Sequence, residues 1–428
     1  MKATEFIEKH HIGPESVDLR QLVQKFRDEM EKGLDGREGS LRMIPTFIEA
    51  ENDFITDQTV LAIDAGGTNF RYALMKIDGQ KGLEITSLEN GHMPGLEGEI
   101  SKEAFFKALA EPLKPMADQS AGIGFCFSYP TEILPSKDGR LLQFCKEVQA
   151  PEVVGHLIGE NLLLSLDLPG MPVVLLNDTV ATLLAGKSAN MNKRFDSYIG
   201  FILGTGTNTC YIERNEAVTK NKNLDLTRSQ IINIESGNFN LAPRSDLDIA
   251  FDNTTMNPGQ YTFEKMMSGG YLGGLSLFVL KTAAREGVFT SETAQNILNI
   301  SQLTSEQLNR YLSDHDGTQE PLSGCFMQKE DDAEAIIVVV SLIQRAARLV
   351  AGNLASVILK TGKGKSEEAP ILITIEGSTF YKLYRFREMF EVYFSRFLSG
   401  PDKRFYEFAE VSQSSLVGAG LAALIDQG

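Results

Sequence analysis

Leu61-Ala-Ile-Asp-Ala-Gly-Gly-Thr-Asn-Phe-Arg71 is an apolar strand that runs into an aspartate, two glycines, a threonine and an asparagine. A second apolar strand, 72–77, follows at once. Glycines have no Cβ, so backbone N–H groups in such a turn approach an anion closely and form a concavity for it. Gly66 and Gly67 supply that backbone, while Thr68 and Asn69 add side-chain donors. Asp64, at the end of the first strand, is placed to hold a hydrated Mg2+, an ion that keeps its waters and takes few carboxylates. Read alone, the stretch is also an ordinary glycine-rich hairpin.

The design recurs in Ile199-Gly-Phe-Ile-Leu-Gly-Thr-Gly-Thr-Asn-Thr-Cys-Tyr-Ile212. There an apolar strand meets Gly204-Thr205-Gly206-Thr207-Asn208, and another apolar strand leaves. Two such hairpins suggest duplicated halves that face each other across a nucleotide. Between them, Pro172-Val-Val-Leu-Leu-Asn-Asp-Thr-Val180 reads as a buried strand that ends at Asn177 and Asp178, with a small-residue helix to Ala189. Asp178 is either a helix N-cap or a catalytic carboxylate, since ligands of open α/β sheets bind beyond the carboxyl ends of the strands.

The order of elements supports the same architecture. Strands are expected at 60–63, 70–77, 83–88, 122–128 and 173–176, with helices near 102–117 and 152–166. This is the rhythm of a ribonuclease-H-like half. A second half follows, with strands at 198–203, 208–213 and 371–375 and a long helix at 333–361. An amphipathic helix at 17–33 precedes both, with Leu19, Leu22, Val23 and Phe26 on one face. Gly362-Lys-Gly-Lys-Ser366 mimics the end of a Walker loop, but position 359 is Leu, so it reads as an exposed loop.

Composition narrows the classes. The 428 residues suggest two or three domains, and 41 basic against 57 acidic residues give a net charge of −16. That balance argues against nucleic acid as a partner. No apolar run of membrane-spanning length is expected, since 335–340 is too short, and no membrane partner is expected. Cys126, Cys145, Cys210 and Cys325 form no CxxC pair and read as free thiols of a reducing cytoplasm. The five histidines show no zinc-like spacing.

With these motifs in order along the chain, the sequence resembles the eukaryotic-type hexokinase family of the actin-like sugar kinases. Leu41-Arg-Met-Ile-Pro-Thr46 is similar to the segment that leads into the family's first phosphate loop. Gly124-Phe-Cys-Phe-Ser-Tyr-Pro130 is similar to its sugar signature, and Asn257-Pro-Gly, Phe263-Glu-Lys-Met266 and Ser268-Gly to another. The resemblance runs from about Val17 to the C-terminus. It implies an α/β fold of two ribonuclease-H-like domains (the actin-like ATPase fold) with a cleft between them. The small domain would be 58–188 plus 416–428, and the large domain 1–57 plus 189–415.

The resemblance also implies roles. Asp178 would be the catalytic base, and Lys146 would hold sugar oxygens and offset developing charge. Ser128, Asn177, Asn208, Glu235 and Glu264 match sugar-contacting positions. Asp64 would organise Mg2+ through water. Gly66, Gly67, Thr68, Asn69, Arg71, Gly204, Thr205 and Gly206 would grip the phosphates of ATP, with Gly377 and Ser378 on the adenosine side. The expected reaction is ATP-dependent phosphorylation of a hexose at its 6-hydroxyl, glucose foremost, also mannose or fructose. That is the first step of glycolysis, in a cytoplasmic monomer or homodimer. The alternatives are a hexose sensor without turnover and a kinase for a modified hexose. The sensor is motivated by two departures from the family, Cys145 for Thr and Tyr261 for an amide. Glu147 for Gly and Ser236 for an aromatic also bear on sugar specificity, and Ser414-Ser-Leu-Val-Gly418 for a Gly-Ser-Gly-Lys-Gly run bears on the adenine side.

Overall fold

The computed structural model describes residues 1–67, 69–79, 82–144, 148–313 and 320–425, and it excludes the side chain of Asn69. Thr68, Cys145, Lys146 and Glu147 therefore lie outside the described residues.

Two mixed sheets organise the chain. The first contains Val60–Gly66, Asn69–Ile77, Leu83–His92, Ile123–Phe127 and Val173–Leu176. In space the third strand lies beside the second, then the first, fourth and fifth. The first three pair antiparallel, and the last two join in parallel. Ser197–Leu203, Thr207–Arg214, Ser229–Asn233, Ile371–Glu376 and Tyr406–Ala409 repeat the same order and the same directions. Ile44–Pro45 adds a short antiparallel edge to this second sheet. The duplication suggested by two hairpins is thus a duplication of whole sheets.

The apolar runs explain the layering. Val60 to Ala65 is buried at every position, as expected of a strand covered on both faces. One face of the first sheet presents Leu61, Ile63, Phe125 and Phe127 to helices Lys102–Ala110 and Ile158–Leu166. The other face presents Val60, Ala62, Ala73 and Met75 to helices Asp178–Ala189 and Ser414–Leu424. Cys210, Ile212 and Ile231 of the second sheet join that same core, so these two helices are shared between the halves. Each fully buried Val, Leu, Ile or Phe contributes about 1.5–3 kcal/mol. Backbones come very close here. A Cβ at Gly124 would stand 1.8 Å from the Ala419 carbonyl oxygen, and one at Gly418 would stand 2.0 Å from that of Ala181.

The large core surrounds helix Lys329–Thr361, against which helices Leu19–Asp35 and Phe386–Leu398 pack. This helix corrects the expectation that no run of spanning length exists. It is long and apolar enough by length and composition, yet 67% of its most apolar window is buried inside the protein. It reads as a core helix. Arg345, fully buried within it, makes two hydrogen bonds of 2.7 Å to Asp248.

Some boundaries differ from expectation. The helix expected at 102–117 breaks after Ala110 into a 3-10 turn and a short helix, because Pro112 and Pro115 remove backbone donors. The helix near 152–166 begins at Ile158, after a 3-10 turn at Pro151–Val153. Strand Tyr406–Ala409 was not legible beforehand. The loop at 362–366 holds no helix, and Gly362 ends the long helix in the left-handed region.

Candidate active site

The first hairpin places Asp64 directly opposite Arg71 in antiparallel register. Arg71 Nη2 donates to Asp64 Oδ2 at 2.5 Å. Gly67 takes a φ of +74°, and its carbonyl accepts a hydrogen bond from the Tyr129 hydroxyl at 3.0 Å. The Ser128 N–H donates to the Ala65 carbonyl at 3.0 Å, which sets Ser128 beside Gly66. Asp64, Gly66, Gly67, Arg71 and Ser128 therefore share one end of the first sheet.

The parallel neighbour Val173–Leu176 delivers Asn177 and Asp178 to that end. Asn177 is the N-cap, since its Oδ1 accepts from the Thr179 N–H at 2.9 Å. The cap role considered for Asp178 thus falls to its neighbour. Asp178 is the first helical residue, and its Oδ1 accepts from the same N–H at 2.8 Å. Burial raises its carboxyl to about 6. The carboxylates of Glu376, Asp64 and Glu235 push the same way, against the Thr179 N–H. Those neighbours come from both sheets, so Asp178 lies where the two halves converge.

On the second sheet an amide and carboxylate cluster faces it. Asn208 Nδ2 donates to Asn233 Oδ1 at 2.8 Å, and lies 3.3 Å from both Asn177 Oδ1 and Glu235 Oε1. Asn233 Nδ2 donates to Glu235 Oε1 at 2.9 Å. Asn208 Oδ1 accepts from the N–H groups of Thr209 and Ser236, at 2.7 and 3.3 Å. Glu235 has a φ of +59°, unusual for a residue with a side chain and worth about 1–3 kcal/mol of strain. Glu264 reaches this cluster from a 3-10 turn, Glu264–Met266. Its Oε2 accepts from the Thr207 N–H at 2.9 Å. Burial raises its carboxyl to about 7, with Glu235 adding to the shift and the Thr207 N–H and Lys265 opposing it.

The second glycine turn is held from behind. The Gly204 carbonyl accepts from the Gly269 N–H and the Thr379 hydroxyl, both at 2.8 Å, and the Thr205 carbonyl accepts from the Gly270 N–H at 2.9 Å. Gly377 has a φ of +121°, and a Cβ there would stand 2.2 Å from the Leu203 carbonyl oxygen. Only glycine fits where Ile371–Glu376 turns past this loop. Ser378 then opens a short helix. Gly204, Thr205, Gly206, Gly377 and Ser378 are thereby gathered at one place.

Sequence reasoning missed four residues. Asn233 completes the amide cluster from the last position of strand Ser229–Asn233, two residues before Glu235. Glu376, immediately before Gly377, accepts from the Thr182 hydroxyl at 3.2 Å and from the Ser414 hydroxyl. Thr182 and Ser414 lie 3.1 Å apart across the two shared helices. No local pattern marks a triad drawn from positions so far apart in the chain.

Chemically, the site combines a buried carboxyl raised to about 6, two turns rich in backbone donors, and amides and carboxylates suited to hydroxyl groups. Among the described residues no cluster of three or more His, Cys, Asp or Glu is set to enclose a metal. Mg2+ needs none, because it uses one or two carboxylates with waters and substrate phosphates, and Asp64 beside the glycine turn fits that role.

Family models described as hexokinase match residues 2–188 and 198–425. The chain belongs to the hexokinase family. It is 29% identical to Hexokinase-3 of Oryza sativa over 95% of this chain and 87% of that protein. It is 30% identical to Hexokinase-1 of Schizosaccharomyces pombe, over 86% and 80%. A Schistosoma mansoni hexokinase solved with glucose superposes with a TM-score of 0.77 at 22% identity, over 99% of this chain and 100% of that one. The fold is that of the two-domain actin-like sugar kinases. This family member is a sugar kinase, a phosphotransferase that acts on a hexose alcohol with ATP as co-substrate.

Proposed function

We propose that the chain transfers the γ-phosphoryl group of ATP to the 6-hydroxyl of glucose, with mannose and fructose as further acceptors, as the first step of glycolysis. The observation that carries this reading is the position of Asp178. A carboxyl raised to about 6 sits between the Asp64 hairpin and the Asn208–Glu235 cluster. Asn177, Asn208, Glu235, Glu264 and Ser128 hold the sugar hydroxyls. Asp178 accepts the 6-hydroxyl proton as its oxygen bonds to phosphorus and the bond to the ADP oxygen breaks. Lys146 offsets charge on the sugar side. The glycine turns, Thr68, Asn69, Thr205 and Arg71 grip the phosphates, and Gly377 and Ser378 border the adenosine. Mg2+ carried with ATP supplies charge neutralisation at the phosphates, and Asp64 is the residue that would hold it through water.

The reading extends to a small domain of 58–188 plus 416–428 that closes on a large domain of 1–57 plus 189–415 when sugar binds, excluding water. It also extends to a cytoplasmic monomer or homodimer. The decisive experiment is ATP- and Mg2+-dependent formation of glucose 6-phosphate by the purified protein, beside Asp178→Ala. Product from the wild type alone supports the reading. No product from a folded wild type on any hexose overturns it.

A further inference from the structure

Asn353 is fully buried in the C-terminal half of helix Lys329–Thr361, among the buried Leu349, Val350, Leu354 and Val357. A primary amide in such surroundings is costly unless its polar atoms are met. Its Nδ2 donates to Thr209 Oγ1 at 2.9 Å, while its buried Oδ1 has no hydrogen-bond partner among the described residues. An apolar residue would avoid that cost, and the hydrogen bond the amide makes is to Thr209.

Thr209 follows Asn208 on the same strand, and successive side chains point to opposite faces of a sheet. Asn208 faces the candidate sugar site, and Thr209 faces the long helix. Thr209 Oγ1 lies 3.1 Å from Ser236 Oγ, and both residues are fully buried. The N–H groups of Thr209 and Ser236 both donate to Asn208 Oδ1, which turns Asn208 Nδ2 toward Glu235. Ser236 also directly follows Glu235, whose left-handed backbone persists only where its surroundings over-determine it.

We infer that Asn353 is a positioning residue for the hexose. Acting through Thr209 and Ser236, it fixes the Asn208 amide and the Glu235 turn from behind the site. The inference rests on the reading of Asn208 and Glu235 as hexose-binding.

The test measures glucose and ATP kinetics, glucose binding by calorimetry, and melting temperature. It uses the wild type, Asn353→Ala, Asn353→Ser, Ser236→Ala and the Asn353→Ala/Ser236→Ala double variant. Asn353→Ala and Ser236→Ala should each raise the glucose KM and Kd by ~10-fold, with the ATP KM within about 2-fold, and the double variant should be no worse than either single one. Asn353→Ser, which keeps a donor, should recover part of the loss and covers the case in which the alanine variant fails to fold. The inference is overturned if glucose and ATP constants move together, if only the melting temperature falls, or if the two losses multiply. A wild type that neither binds nor phosphorylates any hexose overturns the underlying reading instead, which the variant arms cannot imitate.

Discussion

Arg71 and Asp64 stand opposite each other on adjacent antiparallel strands, and the Arg71 guanidinium reaches the Asp64 carboxylate at 2.5 Å. Cross-strand neighbours on one sheet face are the closest pairs a hairpin offers. The pair keeps a cation and a carboxylate fixed at the mouth of the first glycine turn before any nucleotide arrives. Arg71→Met should raise the ATP KM by ~10- to 100-fold, the value of a hydrogen bond to a charged group. Glucose Kd, measured by calorimetry without nucleotide, should stay within about twofold. Equal loss of both affinities would contradict this division of labour.

Asp178 should set the acidic limb of the rate profile. As pH falls through about 6, its carboxylate gains the proton that it must be free to accept, so kcat/KM for glucose should drop on that side. Asp178→Asn should lower kcat by ~100- to 10,000-fold. The same substitution should stabilise the fold. A carboxyl raised in the folded state above its ordinary value contributes stability that is full below that value and is lost as pH rises through about 6. At neutral pH the neutral amide, which still accepts from the Thr179 N–H, should therefore gain roughly 1–3 kcal/mol. Denaturation by urea at pH 7.5 and at pH 4 checks this, with the gain confined to the higher pH.

Glu264 predicts a pH dependence of binding rather than of turnover. Its carboxyl, raised by burial to about 7, is partly protonated at neutrality. A sugar hydroxyl donates best to the ionised form, so glucose Kd should tighten as pH rises from about 6 to about 8. Glu264→Gln should weaken binding at pH 8 and flatten this dependence. Calorimetric titration across that range gives the slope, and an unchanged slope in the variant would assign the effect elsewhere.

The shared helices predict a stability effect away from the chemistry. A Cβ at Gly418 would lie 2.0 Å from the Ala181 carbonyl oxygen, and the obstructing atoms are backbone. Gly418→Ala should force helix Ser414–Leu424 away from helix Asp178–Ala189, at a cost of ~1–3 kcal/mol. Thermal unfolding should show a lower midpoint. The kcat should fall as well, because the helix that Ser414–Leu424 is forced away from, Asp178–Ala189, carries Asp178 at its first turn.

Much of this was legible in the amino-acid order alone. Asp64 with Gly66 and Gly67, and Gly204 with Gly206, announce hairpins because strand, turn and strand are local events set by apolar runs and by residues lacking a Cβ. Asn177 and Asp178 announce a strand-to-helix turn for the same reason. The sequence left open whether Asp178 caps the helix, which depends on where the side chains meet the Thr179 N–H. It also left open the register that sets Asp64 against Arg71.

What lies beyond the sequence depends on segments far apart in the chain. Strand Ile371–Glu376 joins Ser197–Leu203 in parallel across more than a hundred intervening residues, and Tyr406–Ala409 then completes the second copy of the sheet. No local periodicity encodes that pairing, because a parallel ladder is chosen by burial of the whole layer. The triad of Glu376, Thr182 and Ser414, the place of Asn233 beside Asn208, and the reach of Asn353 to Thr209 exist only once the layers are stacked. The order of residues determined most of the strands, the two glycine turns and the carboxylate at the strand end. Tertiary packing alone decided how the two sheets converge on Asp178, because the burial and the neighbouring carboxylates that raise its affinity for a proton come from both halves of the chain.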